Sequence, residues 1–347
     1  MTLAAASPLA ARTQPTLLAR AVPLFAALLA ANAAVCLWAL AVSHGQPVLL
    51  GAALLAYVLG LRHAVDADHI AAIDNVTRKL MQHGRQPLTV GLWFSLGHST
   101  VVILACVGVA VLSSALRPEL ARFASVGSLL GTGVSAGFLF LIAAANLLTL
   151  RSVWRGAASA DGAALQGGLL TRVLQPAMRV VSAPWRMYPL GFLFGLGFDT
   201  ASEIALLGIA SQASQHLSLP AMMILPALFT AGMCLVDTSD GLLMVGCYGW
   251  ALATPSRRAT YNAVMTVISI LVALVIGVIE LLELAAHGRS LSGPMWSAVD
   301  AANRHFGAVG VSIIALFIGS WSLSALIQRA RRMAAARGGE SSTASAH

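Results

Sequence analysis

Eight long apolar blocks divide this 347-residue chain. A helix needs about 20 mainly apolar residues to cross the hydrocarbon core of a bilayer, and each block is longer than that. Backbone polar groups in lipid must be satisfied within the segment, which favours helices. The sequence therefore predicts an all-α, polytopic membrane protein with about eight transmembrane helices, at residues 20–43, 48–76, 88–116, 125–150, 188–211, 219–252, 260–287 and 306–328.

The composition excludes a water-soluble globule and a disordered chain. Hydrophobic residues make up 58% of the sequence and charged residues only 10%, whereas soluble domains carry about 25% charged residues. The mean hydropathy is +0.81. A soluble fold could not remove so much apolar surface from water.

The net charge of +8 reflects membrane topology rather than nucleic-acid binding. The basic residues lie in short gaps between the apolar blocks and form no basic face. If both termini are cytoplasmic, 16 basic residues lie inside and four lie outside, with Arg62 within a span. Cytoplasmic loops carry the excess of Lys and Arg, so we expect cytoplasmic N- and C-termini.

We expect residues 1–347 to form a single transmembrane domain with three cytoplasmic appendages. These are an N-terminal segment (1–19) before an uncleaved first span, a long loop (151–187) and a basic, disordered tail (329–347). The four cysteines lie in apolar blocks without a CxxC pair, which indicates packing residues rather than disulfides or a thiolate zinc site.

Ionisable residues inside the predicted spans are the main candidates for function. Seven of the thirteen acidic residues lie in the second, fifth and sixth spans, and three of the nine histidines lie in the second and third. Each ionisable group costs about 2.5–3.5 kcal/mol at the bilayer centre on insertion scales. They must therefore face inward and be neutralised by protons, a basic partner or a cation.

The second predicted span is the richest in such residues. On an ideal helix His63, Asp66 and His69 share one face, because they are spaced three apart. Asp74 returns to that face and Asp68 falls on the other side. Imidazoles with carboxylates are typical ligands of divalent first-row metals. The structural alternative is an ion pair between Arg62 and an aspartate, with hydrogen bonds between helices.

Three further spans contribute candidate ligands. His98 in the third span is a possible third imidazole, although a lone histidine there is more often a hydrogen-bonding group. Asp199 and Glu203 in the fifth span are four residues apart, which places them on one face of a continuous helix. Asp237 and Asp240 in the sixth span also share a face.

Two glutamates of the seventh span have a simpler interpretation. Glu280 and Glu283 are close to the outer end of the span. Long polar side chains near a span end reach the interface, so we expect these two to extend to the membrane surface, with a role in a vestibule as the alternative.

Four motifs in this order resemble the nickel/cobalt transporter family of secondary permeases. The most specific is His63-x4-Asp68-His69. The others are the runs at 94–102 (FSLGHSTVV), 196–207 (LGFDTASEIALL) and 232–241 (GMCLVDTSDG). The eight spans, the cytoplasmic termini and the long fourth loop are also similar to that family, so the resemblance covers nearly the whole chain.

The resemblance implies uptake of Ni²⁺ and/or Co²⁺ across the cytoplasmic (inner) membrane without ATP, with His63, Asp68 and His69 central to selectivity. The metal is then a transported substrate, and no cofactor and no enzymatic activity are expected. The expected partners are the ion, the lipid bilayer and, downstream, a metal chaperone or metalloenzyme maturation machinery, but no nucleic acid.

The residues by themselves leave alternatives open. They do not choose Ni²⁺ or Co²⁺ over Zn²⁺, Mn²⁺ or Fe²⁺, because affinity order alone does not select a metal. An intramembrane metal-dependent enzyme is a second hypothesis, although the sequence contains no HExxH motif. Its one GxSxG run, at 133–137 (GVSAG), lies within a predicted span and not at the strand-to-helix turn that a nucleophile elbow needs. A proton or cation channel and an efflux permease for the same ions are the others.

Overall fold

The computed structural model describes residues 17–111, 117–154, 182–197, 200–215, 217–252, 255–286, 293–305 and 307–316, together with 318, 319, 322 and 326. All helix and strand assignments in this part of the chain are helical, which confirms the all-α class. Most of the N-terminal segment 1–19, the centre of the loop 151–187 and the tail 329–347 lie outside the described residues.

Twelve α-helices follow one another along the described residues, with one 3-10 turn, Pro184–Arg186, directly before the sixth. They are α1 (Leu17–Val42), α2 (Pro47–His63), α3 (Ala67–Gln82), α4 (Val90–Val111), α5 (Arg117–Trp154), α6 (Met187–Phe194), α7 (Ala201–Ala213), α8 (Leu219–Met222), α9 (Ile224–Leu252), α10 (Pro255–Ala286), α11 (Pro294–Arg304) and α12 (Gly307–Leu316).

Five helical segments are long and apolar enough to cross a membrane, and α2 with α3 makes a sixth when the bent pair is taken as one span. These six correspond to the predicted spans 1–4, 6 and 7. The predicted eighth span is represented by α12, a shorter apolar helix of the described residues. The chain is thus a multi-pass helical membrane protein.

The second predicted span is a bent pair rather than an ideal helix. The axes of α2 and α3 differ by 51°, and the break lies between His63 and Ala67. Asp66 caps α3 with extended backbone angles, φ −66° and ψ 146°. The bend corrects the expectation that Asp74 returns to the His63 face, because the two residues lie on different helices.

The fifth predicted span, 188–211, is also interrupted, so the expectation of one continuous helix was wrong. Helix α6 ends at Phe194 and α7 begins at Ala201. Thr200 caps α7, and its Oγ1 accepts a hydrogen bond from the Glu203 backbone N–H at 3.4 Å. Threonine followed three residues later by glutamate is a capping-box pattern. Asp199 itself lies outside the described residues.

Helix α9 lies at the centre of the bundle and packs on α1, α2, α3 and α4, while α5 pairs closely with α10. The innermost side chains are large and apolar, such as Phe94, Leu139 and Phe229. Many apolar side chains point outward instead, including Leu54 (65% exposed) and Val275 (55% exposed). Such an outer surface is suited to lipid.

Close backbone contact between α4 and α6 depends on glycine. A Cβ built on Gly191 would collide with the Phe94 carbonyl oxygen. Glycine therefore lets the two helix backbones approach in the way that small-residue motifs allow in membranes. This contact holds α4, which carries His98, against the broken fifth span.

We predict that Gly191→Ala destabilises the protein by about 1–3 kcal/mol, because the added methyl group overpacks a backbone contact. The measurement is the midpoint of thermal unfolding in detergent. Gly208→Ala is the matched control, since a Cβ on Gly208 in helix α7 meets nothing within 4 Å. Equal midpoints for the two variants would contradict the packing described.

Candidate metal centre

Three histidines meet in the centre of the bundle. His63 ends α2, His69 lies in the first turn of α3, and His98 lies midway along α4. The three residues are at most 2% exposed. The ring centroids are 4.7–4.9 Å apart, and one potential ligand atom from each lies within 4.8 Å of the others.

Carboxylates fix the orientation of two of the rings. Asp66 Oδ2 accepts from His63 Nδ1 at 3.1 Å, and Asp237 Oδ2 accepts from His69 Nδ1 at 3.3 Å. A carboxylate on Nδ1 favours the tautomer that leaves the Nε2 lone pair available. Metal-binding histidines are usually held in this way by a carboxylate on the other nitrogen.

Ring nitrogens of His63 and His98 converge with a carboxylate of Glu203. His63 Nε2 lies 2.9 Å from His98 Nε2, which lies 2.9 Å from Glu203 Oε1. His69 Nε2 and His98 Nδ1 are buried without a hydrogen-bond partner. Because Asp66 holds the His63 proton on Nδ1, the Nε2 atoms need a shared proton or a cation between them. The arrangement can bind a divalent metal ion.

The two helix breaks bring these groups together. Helix α2 ends at His63, so its negative dipole end faces the imidazoles and favours a cation. Asp66 and Asp68 lie at the N-terminus of α3 and Glu203 lies in the first turn of α7, where the positive end of a helix dipole favours carboxylates. Discontinuous helices of this kind build ion sites in transporters.

A pocket of about 50 Å³ reaches the cluster from one side, which is room for a few water molecules. His63 and His98 line it, whereas the fully buried His69 does not. Its lining residues are Arg62, His63, Asp66, Asp68, His98, Gly131, Thr132, Ser135, Phe194, Gly197, Thr200, Glu203, Glu280 and Glu283.

The structure therefore brings His63, Asp66, His69, His98, Glu203 and Asp237 into direct contact in a single cluster. Asp68 lines the adjoining pocket, so its side chain is on the site side although the ideal helix had placed it opposite.

Two other intramembrane acids lie apart from the imidazoles. Asp74 accepts hydrogen bonds from Tyr248 Oη at 2.7 Å and from Ser269 Oγ at 3.0 Å. Asp240 lies within electrostatic range of both Asp74 and Asp237, and neither of its carboxyl oxygens has a hydrogen-bond partner. Asp237 and Asp240 share a face of α9, but only Asp237 of the two hydrogen-bonds to a histidine.

Two contacts to carboxylates were not predicted from the sequence, although both residues lie in the quoted motif runs. Ser95 Oγ donates to Asp237 Oδ2 at 2.6 Å, and Thr200 Oγ1 donates to Glu203 Oε2 at 2.9 Å. The capping-box spacing of Thr200 and Glu203 is the sequence signal that could have revealed the second contact. Glu280 does not extend to the interface as expected, because it is only 6% exposed; it lines the pocket, which agrees with the alternative of a vestibule.

Fold and site together define a class: a multi-pass helical membrane protein with a buried imidazole–carboxylate centre suited to a divalent transition metal. The family model described as a high-affinity nickel-transport protein matches residues 49–327. The chain belongs to this family. No solved structure matches the chain.

Named relatives cover most of the chain. The high-affinity nickel transport protein of Cupriavidus necator is 51% identical over 90% of this chain and 93% of its own length. The hydrogenase nickel incorporation protein HupN of Bradyrhizobium diazoefficiens is 48% identical over 88% and 83%. The cobalt transport protein NhlF of Rhodococcus rhodochrous is 38% identical over 79% and 81%.

We predict that Asp237→Asn weakens binding of Ni²⁺ to the purified protein by about 10–100-fold, the usual effect of removing a carboxylate that orients a metal-binding histidine. Isothermal titration calorimetry in detergent measures this affinity. Ser239→Ala is the control, because Ser239 is exposed on the same helix and bonds only its own backbone at Leu235 O among the contacts described. Equal affinities of the two variants for Ni²⁺ would show that Asp237 is not part of the metal site.

Proposed function

We propose that this chain takes up Ni²⁺ and/or Co²⁺ through a site formed by His63, His69 and His98 with Asp66, Glu203 and Asp237. The observation that carries the proposal is the convergence of imidazole lone pairs, two of them oriented by carboxylates. The ion is the substrate, and transport proceeds without ATP across the cytoplasmic membrane. The family membership and the nickel and cobalt names of the relatives support this substrate class.

The ligand set supports Ni²⁺ or Co²⁺ as the substrate. Imidazole nitrogens of His63, His69 and His98 lie beside the carboxylate oxygens of the site. Imidazole with oxygen ligands suits Ni²⁺, whereas thiolate and thioether ligands select Cu⁺.

The direction we propose is inward. In the proposed topology both termini are cytoplasmic and eight spans cross, the broken pair α6–α7 and the segment that begins with α12 being the fifth and eighth. The pocket then opens toward the outer side, because Glu280 and Glu283 lie near the outer end of α10. Asp240 and Asp74 lie on the cytoplasmic side of His69 and continue the path.

Transport rather than catalysis is the function we infer for the buried centre. The pocket, at about 50 Å³, has room for a few waters and a cation, whereas pockets that bind organic ligands have volumes of about 300–1,000 Å³. Delivery to a metal chaperone or to metalloenzyme maturation is part of the proposal, and one relative bears the name of a hydrogenase nickel incorporation protein.

We predict that His63→Ala lowers cellular accumulation of ⁶³Ni and ⁵⁷Co at least about tenfold at low external metal, because a ligand at the centre of the site is removed. His83→Ala is the matched control, since His83 is exposed and bonds the Lys79 carbonyl oxygen. Expression is equalised by immunoblot. Normal accumulation in the His63 variant refutes the site, and accumulation that falls when wild-type protein is expressed identifies efflux instead.

A further inference from the structure

The pocket beside the imidazoles has a second wall that the proposed site does not use. Glu280 and Glu283 of α10 and Thr132 and Ser135 of α5 line it on the side away from α2. Glu280 is 6% exposed and lies six residues before the end of α10, about 9 Å along the helix axis. Glu280 therefore lies within the protein and not at the interface.

A hydrogen bond and helix packing fix the position of the Glu280 side chain. Ser135 Oγ donates to Glu280 Oε1 at 2.7 Å, and Ser135 is itself 3% exposed. Helices α5 and α10 form the most extensive helix pair of the described bundle, so the two side chains are fixed by packing. Glu283 is three residues further along the same face of α10.

The same pocket is also lined by two aspartates of helix α3 and its N-cap. Asp66 is 2% exposed, and while its Oδ2 holds His63, its Oδ1 has no hydrogen-bond partner. Asp68 also lines the pocket, and its Oδ1 has no hydrogen-bond partner either. Among the described lining residues, Arg62 is the one arginine, and it donates to Ser202 Oγ at 2.8 Å. The same lining contains the carboxylates of Asp66, Asp68, Glu203, Glu280 and Glu283.

We propose that Glu280 and Glu283, with Ser135, Thr132 and the free oxygen of Asp66, form a separate capture site for a hydrated divalent cation. This inference rests on the proposed function and deepens it. Carboxylates and hydroxyls hold a hydrated ion through its water molecules, and imidazoles replace those waters afterwards. The pocket keeps the ion within reach of His63 and His98 while it loses water.

A capture site of this kind affects how the ion binds from solution and does not affect the later steps of transport. Clefts lined by one sign of charge raise the local concentration of the opposite ion and its association rate by about 10–1,000-fold. Loss of one carboxylate should therefore raise the KM for Ni²⁺ and leave the maximal rate nearly unchanged. A purely structural role for Glu280 would lower the maximal rate and the amount of folded protein and leave the KM unchanged.

The test is ⁶³Ni uptake into proteoliposomes that contain the full-length protein, over a range of free Ni²⁺. We expect Glu280→Gln and Glu283→Gln each to raise KM about fivefold or more, with the maximal rate within about twofold of wild type. Glu280→Asp, which keeps the charge, should recover part of the loss. Ser135→Ala should act in the same direction, and Thr149→Val is its control, because the Thr149 hydroxyl donates to Ala145 O on the same helix.

The outcomes separate the two proposals. No uptake by wild-type protein refutes the proposed function itself. Uptake by wild type with an unchanged KM in both glutamate variants refutes the capture site and leaves the imidazole site standing. Size-exclusion chromatography shows whether Glu280→Gln folds. If it does not, the KM of the Glu283→Gln variant alone decides whether the capture site exists.

Discussion

Imidazole nitrogens that face one another in the buried centre of the bundle set the central constraint on this protein. His63 and His98 approach to 2.9 Å through their Nε2 atoms, while Asp66 draws the His63 proton to the opposite nitrogen. Such an arrangement is unfavourable unless a proton or a cation bridges the pair. The surrounding structure holds these groups together and supplies the carboxylates that make a cation favourable.

Two interrupted spans make this arrangement possible. A continuous helix would direct successive side chains around its circumference, whereas the breaks after His63 and before Ala201 place helix ends at the centre. Backbone that leaves the helix at membrane depth is tolerated where protein covers it. Glycine contacts such as that between Gly191 and Phe94 bring the covering helices close enough.

The sequence was sufficient to predict the helical membrane class and much of the cluster. The cost of burying ionisable groups in lipid singles out His63, His69 and His98 without any knowledge of packing, and all three lie together. The same cost singles out Glu203 and Asp237, which contact them.

The remaining features depend on three-dimensional contacts that no local pattern records. The position of Asp74 requires the 51° bend between α2 and α3, and an ideal helix gives the opposite answer. The burial of Glu280 requires the neighbouring helix α5 and the Ser135 hydroxyl, which are distant in sequence. The break before α7 is the exception, since the threonine–glutamate spacing signals it in advance.

X-ray absorption at the nickel edge of the purified, nickel-loaded protein tests the central claim most directly. This account predicts two or three imidazole rings, seen through their multiple scattering, with nitrogen at about 2.1 Å and oxygen completing the shell. It also predicts no sulfur in that shell, because the four cysteines are free and are not in the imidazole cluster. A sulfur shell at about 2.3 Å, or a shell of oxygen alone, would contradict it.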